Sequence, residues 1–307
     1  LTVALKLSEH LRGRVEKMLA AGGEQRWEEF INQEVGGMSE ALTQLAVATK
    51  DPSWVQLAKR FERPCFVGPL ALVGASTKRG AAQAIEKMHA NTHLPEILGA
   101  AARYEATGEP AAARAAMSFF DELNASHTFA TGGSTSGETW LGARQLGGPV
   151  AQQHAENYWS HDHHETCVSH NSMRTSRSIM AWGAGADAGG AAAKVLSHAE
   201  YFERTLLNAV LGTQRGTTPG SMLYMLPMGS GVSKAGISNA PQGHHWSDGE
   251  HHFWCCQGSG IEAFARIHDS VFWRLSPAFA ARGGGGAEHV FVLQHMSSEL
   301  VWSELGV

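Results

Sequence analysis

Apolar residues recur through the first two-thirds of the chain with the 3.6-residue period of amphipathic helices. Residues 2–20 carry Val3, Leu5, Leu7, Leu11, Val15, Met18 and Leu19 in that rhythm. After Gly36-Gly37, MSEALTQLAVATK places Met38, Leu42, Leu45 and Ala46 on one face. DPSWVQLAKRF opens with an aspartate ahead of a proline, a helix-start signal, because proline's missing N–H would find no partner in a first turn anyway. THLPEILGAAARYEATGE and EPAAARAAMSFFDELNAS predict a helix pair broken at Gly108. ETCVSHNSMRTSRSIMAW and GAAAKVLSHAEYFERTLLNAVLG predict another, across a glycine-rich linker at 183–190. Short connections bring successive helices together antiparallel, which implies stacked hairpins in either an open solenoid or a closed barrel.

The pattern changes after Gly212. SMLYMLP has strand-like content, GSGIEAFARIHDS predicts one more helix, and HVFVLQHMSSELVW predicts a strand or two behind the glycine loop at 282–287. Two short strands do not make a stable sheet alone, so a β-domain is expected to begin there. The first residues read as the middle of a helix, without an initiator methionine, and the expectation is a piece of a longer chain. The predicted organisation is a helical domain over 1–275 and a linker with the first strands of a β-sandwich over 276–307.

Composition narrows the function classes. The 307 residues are 43% hydrophobic and 17% charged, which suits a sizeable core and argues against disorder. A net charge of −5 speaks against nucleic-acid binding, which relies on basic patches. No apolar run is long enough to predict a membrane span, and the N-terminus lacks the features of a signal peptide. Four cysteines are too few for a disulfide scaffold. The 17 histidines cluster beside cysteines: His161, His163 and His164 precede Cys167, and His244, His245, His251 and His252 precede Cys255.

Three segments carry candidate chemistry. In ATGGSTSGETW, 130–140, Glu138 sits in a glycine-rich loop edged by a tryptophan, where partial burial would move it towards acid/base use; a solvated surface carboxylate is the plainer alternative. In HHETC, 163–167, Glu165 and Cys167 stand two apart. On a helix that spacing points side chains about 200° apart, so both could bind one metal only from an extended lead-in to a helix. The alternative is a helix N-terminus with an inert buried cysteine. In HHFWCCQGSG, the adjacent Cys255 and Cys256 are strained partners for a disulfide. They could share a metal if the backbone turned at Gly258 and Gly260, and a following helix N-terminus would favour thiolate. Glu165, Cys167, Cys255 and Cys256 form a four-ligand set suited to zinc, although the spacing is not that of a zinc finger.

Residues 1–302 carry a wider resemblance. GGMSEALTQLAVATKDPSWVQLAKRFERPCFVGPLA, HANTHLPEILGAAARYEATGE, HTFATGGSTSGETW, ETCVSHNSMRTSR, YFERTLLNAVLGTQRGTTPGSMLYMLPMGSGVSKA and FWCCQGSGIEAFARIHDSVFW resemble, in this order, the β-L-arabinofuranosidases of glycoside hydrolase families 127 and 146, in particular plant-type members. The resemblance implies a mainly α fold, an (α/α)6 barrel of antiparallel helix pairs followed by a β-sandwich. It implies a retaining glycosidase that releases β-L-arabinofuranose from arabinose-containing glycans or glycoproteins, such as hydroxyproline-rich wall proteins. The Zn2+ cofactor would be held by Glu165, Cys167, Cys255 and Cys256. Cys255 would be the nucleophile and Glu138 the acid/base, with His89, His93 and Tyr224 contacting the sugar. A complete barrel needs about twelve helices and the pattern supplies about eight or nine, so the barrel is expected to be incomplete, its upstream helices supplied by other segments or chains. Residues 75–88 run longer than the family pattern. Extracellular or secretory-pathway glycans are the expected setting. The alternatives from other classes are a non-catalytic, zinc-stabilised glycan-binding or structural module, and a helical scaffold without metal.

Overall fold

The computed structural model describes residues 1–32, 35–73, 80–147, 163–183, 188–228, 234, 246–248, 250–252, 254–274 and 290–303. His161, His244, His245, residues 75–79 and residues 275–289 lie outside them. The chain divides into two compact units, Leu1–Phe129 with Ser134–His163, and Ala130–Gly133 with His164–Val307.

The first unit is helical: α1 (Thr2–Ile31), α2 (Met38–Thr49), α3 (Ser53–Lys59), α4 (Pro64–Ala71), α5 (Ala81–Ile85), α6 (Ala90–Thr107) and α7 (Pro110–Ser126). The expected α1 runs on past its periodic stretch, broken only at Gly23, whose φ of 67° is non-helical. The aspartate read as a start signal does cap: Asp51 Oδ1 accepts from Ser53 N at 2.9 Å. The pattern missed α4 and α5, the one nearly all apolar and the other only five residues long, so neither offers a helical period. Trp27, Ile31, Leu42, Leu45, Trp54, Leu57 and Phe61 form one core. Within it the Trp27 ring meets Phe61 edge-on at 5.3 Å and donates to Arg60 O at 2.8 Å.

Helix α6 packs on α2, α4 and α7. Its approach to α2 depends on Gly99, where an added Cβ would lie 2.5 Å from Ser39 Cβ and 3.3 Å from Glu40 N. The α6 flank also buries charge. Arg103 pairs with Glu62 at 2.7 Å. Arg63 donates from its backbone N to Glu96 Oε2 at 2.6 Å and from Nε to Ile31 O at 2.9 Å. Its Nη1 lies 2.7 Å from His93 Nε2. Burial, then the Arg63 and neighbouring His89 charges, depress His93 to about 4.

Strand β1 (His163–Glu165), whose last two residues belong to the second unit, leads into α8 (Thr166–Gly183), which packs on α9 (Ala188–Thr205) and α10 (Cys255–Arg266). A π-helical turn, Leu206–Val210, and a 3-10 turn, Leu211–Thr213, follow α9. They redirect the chain so that Thr213 O accepts from Leu223 N at 2.9 Å, which delivers β2 (Met225–Pro227) alongside β1. Met173, Phe202, Leu206, Val210 and Ala263 form the core. Strands β3 (Phe272–Arg274) and β4 (Val290–Val292) pair antiparallel, Trp273 opposite Phe291. The chain is mainly α with small sheets, as expected of an incomplete α/α barrel. No helix among the described residues is long and apolar enough to cross a membrane.

Gly99→Ala should lower stability by about 1–3 kcal/mol through overpacking, although alanine in an isolated helix would gain about 1 kcal/mol; a raised urea midpoint would refute this. His93 predicts an acid-side loss of stability. Its folded-state value lies below the ordinary 6.5, so the unfolded chain binds more protons between pH 6.5 and 4 and stability falls as pH drops through that window. His93→Gln should flatten this fall, as read from urea midpoints at its two ends.

Candidate functional site

Two clusters hold the residues singled out in the sequence, one in each unit. The thiol cluster is built where β1 becomes α8 and where α10 begins. Glu165 ends β1 and Cys167 is the second residue of α8, the extended-to-helical lead-in that their two-residue spacing requires. Trp254, in extended conformation, is the N-cap of α10, and Gln257 Oε1 accepts from Trp254 N at 3.2 Å. Cys255 and Cys256 are therefore the first two helical residues, about 100° apart around the axis. Cys256 turns inward and is fully buried, while Cys255 is exposed. The turn expected at Gly258 and Gly260 is not what parts them: both glycines lie inside α10. Gly260 instead admits Met222, whose Sδ would sit 2.5 Å from an added Cβ.

The three sulfurs lie within 4.8 Å of one another. Cys256 Sγ is 3.2 Å from Cys167 Sγ, and the Cys167 thiol donates to Glu165 Oε1 at 3.5 Å. Tyr224, just ahead of β2, brings its hydroxyl 3.1 Å from Cys255 Sγ. Cys167 and Glu165 are 0% and 1% exposed. Burial pushes the Cys167 and Cys256 thiols well up. Hydrogen bonding with Cys167 and Cys256, and then with Tyr224, draws Cys255 far below the ordinary thiol value. Burial, followed by the nearby Cys256 and Glu165 charges, drives the Tyr224 phenol up, so it stays a donor. The three thiols could hold a thiophilic ion, since tetrahedral bonds of about 2.3 Å set sulfurs roughly 3.8 Å apart.

The second cluster centres on Glu138. Its loop is clamped to the segment before α6: Lys87 N donates to Trp140 O at 2.7 Å, Trp140 N to Met88 O at 3.1 Å, and Ala90 N to Glu138 O at 2.9 Å. Trp140 is buried and donates to Ser134 Oγ at 3.1 Å. Glu138 itself has φ 63° and Thr135 φ 97°, left-handed conformations that L-residues with side chains rarely hold without a reason. The Glu138 carboxylate lies 3.1 Å from His89 Nε2, with side-chain exposures of 22% and 42%.

His89 is the N-cap of α6, with its Nδ1 towards Thr92. His93, one turn on, is buried, with Nδ1 2.7 Å from His89 O and Nε2 against Arg63. It stands behind His89 in the protein interior. The sequence reading missed Thr92 and Arg63. Thr92 offered no capping signal, because the usual pattern has Ser, Thr, Asp or Asn at the cap and Glu or Gln three residues on, not His and Thr. Arg63 had no local signal, since its partners Ile31, His93 and Glu96 are about 30 residues away in sequence.

No match is found among curated proteins. Among solved structures, one described as a GH127 β-arabinofuranosidase is similar, with 18% identity and a TM-score of 0.48, covering 76% of this chain and 32% of its own. Another, described as a glycoside hydrolase, has 16% identity and a TM-score of 0.47, covering 76% and 38%. The chain thus spans about a third of the length of the structures it matches. Residues 1–269 match the family model described as β-L-arabinofuranosidase, GH127 catalytic domain, and the chain belongs to that family.

Proposed function

We propose that this chain is the helical part of a retaining glycosidase that releases β-L-arabinofuranose from arabinose-containing glycans or glycoproteins of the cell surface or secretory pathway. Segments or chains beyond it would complete the barrel, and a β-sandwich would begin near residue 276. The observation that carries the reading is the convergence of the Cys167, Cys255 and Cys256 sulfurs within 4.8 Å of one another, with Glu165 against Cys167. Family membership supports the glycosidase class.

Glu165, Cys167, Cys255 and Cys256 would hold Zn2+, which would keep the sulfur of Cys255 as thiolate and stabilise it as a leaving group. Cys255 is the exposed member of the set, the one a substrate can reach. Retention requires a nucleophile and a proton donor on opposite faces of the anomeric carbon. In the first step Cys255 Sγ bonds to that carbon, the glycosidic C–O bond breaks, and Glu138 gives its proton to the departing oxygen. In the second, Glu138 takes a proton from water, whose oxygen displaces the sulfur. The Tyr224 hydroxyl, held protonated, steadies the sulfur in both steps. His89 would contact the sugar beside Glu138, and His93 would act from behind it.

Reduced wild-type protein should carry about one equivalent of zinc by elemental analysis, and Cys167→Ala less than half of that; metal-free wild type would sink the zinc assignment. Hydrolysis of an aryl β-L-arabinofuranoside should fall on the order of a thousandfold or more in Cys255→Ser, and equal activity in that variant would remove the cysteine from its role. Binding of an arabinoside without turnover by wild type would favour a non-catalytic glycan-binding module instead.

A further inference from the structure

His89 is held from both ends. Its Nδ1 lies 3.3 Å from Thr92 N and 2.8 Å from Thr92 Oγ1. A backbone amide only donates, so Nδ1 accepts, and the neutral ring then carries its proton on Nε2. Nε2 lies 3.1 Å from Glu138 Oε2, so that proton is donated to the carboxylate.

The next histidine along α6 takes the opposite tautomer. The Arg63 guanidinium has only donors to offer His93 Nε2 at 2.7 Å. The His93 proton is therefore on Nδ1, which donates to His89 O at 2.7 Å. Arg63 is itself fixed by Ile31 O and Glu96. The backbone of His89 is thus braced from the core by His93, while its ring is set by Thr92.

We infer that the Thr92 hydroxyl is a positioning group for the acid/base residue: the amide makes Nδ1 an acceptor in any variant, and the hydroxyl, at 2.8 Å against the amide's 3.3 Å, donates the shorter bond that sets the ring plane and aims Nε2–H at the Glu138 carboxyl. A proton on Nδ1 would point at the Thr92 amide and leave Glu138 facing a bare ring nitrogen. The inference rests on the proposed role of Glu138. A general acid matters most when the leaving group is a poor one, such as a sugar, and least for a dinitrophenolate, which departs without a proton.

Two measurements test it. Nitrogen-15 imidazole spectra of the full chain should show His89 protonated on Nε2; a proton on Nδ1 overturns the inference without any assay. With a disaccharide substrate, Thr92→Val should lower kcat about tenfold, a small share of the roughly 10²–10⁴ that general acid catalysis supplies. KM should hold, the dinitrophenyl glycoside should lose less than about twofold, and Thr92→Ser should recover most of the loss. Equal losses on both substrates, or none, overturn it. Glu138→Gln should show the same leaving-group split, only larger. If Glu138→Gln shows no split, the acid/base reading fails and the role of Thr92 fails with it. If Glu138→Gln shows the split and Thr92→Val does not, only the role of Thr92 fails.

Discussion

The structure depends on bringing three thiols and a carboxylate together where water is scarce. Glu165, Cys167 and Cys256 are almost wholly buried, and burial disfavours the charged form of each acid. Their separations of 3.2 and 3.5 Å would set like charges against one another if all were ionised. Cys167 stands in the first turn of α8 and Cys255 and Cys256 in the first turn of α10, and a helix N-terminus favours negative charge. In the proposed reading a bound cation supplies the remainder. The π turn after α9 delivers Tyr224, and Gly260 lets α10 close on Met222. The His170–Glu262 pair at 3.6 Å and the Arg177–Asp269 pair at 3.1 Å tie α8 to α10 and the turn beyond it.

Much of the fold was legible because the longer helices bury one face and leave the other wet. Helices α2, α6, α7 and α8 begin and end close to where period and caps place them. Helix α10 starts three residues ahead of its predicted beginning, because CCQ offers no period, and the cap there is an aromatic whose backbone Gln257 satisfies. The identities of the site residues were legible too, through adjacent cysteines, a Glu-x-Cys pair and a glycine-rich loop. The directions of their side chains were not. Which of Cys255 and Cys256 faces out is decided by the register of one helical turn. That His93 is buried is decided by Arg63, and nothing within a few residues of either announces the contact.

The glycines in the Glu138 loop have a physical rather than a statistical reason. Gly132 has φ 88°, and an added Cβ there would lie 2.9 Å from Thr205 Cα. One at Gly133 would lie 2.2 Å from the His164 ring. Tyr201, fully buried, donates to Gly132 O at 3.1 Å and fixes the same turn. The first half of the loop is therefore seated by close backbone approach, which no side chain would permit.

The second half of the loop is seated differently, by strain held in place. Thr135 and Glu138 occupy left-handed conformations, each costing on the order of 1–3 kcal/mol for residues with side chains. Such strain persists only where neighbouring bonds over-determine the backbone. Here the bonds from Lys87 N, Ala90 N and Trp140 N do so, with Thr135 Oγ1 donating to His163 O at 3.2 Å and Gly137 N to His163 Nε2 at 3.1 Å. Asparagine or glycine would fit the Glu138 backbone with less strain, so local folding does not account for a glutamate there. Its carboxylate is the part that would be missed, and it meets a histidine whose ring is already oriented by the cap of α6. A glutamate held against its own backbone preference meets a histidine already oriented by other bonds, and that pairing, rather than the turn, is what its side chain contributes.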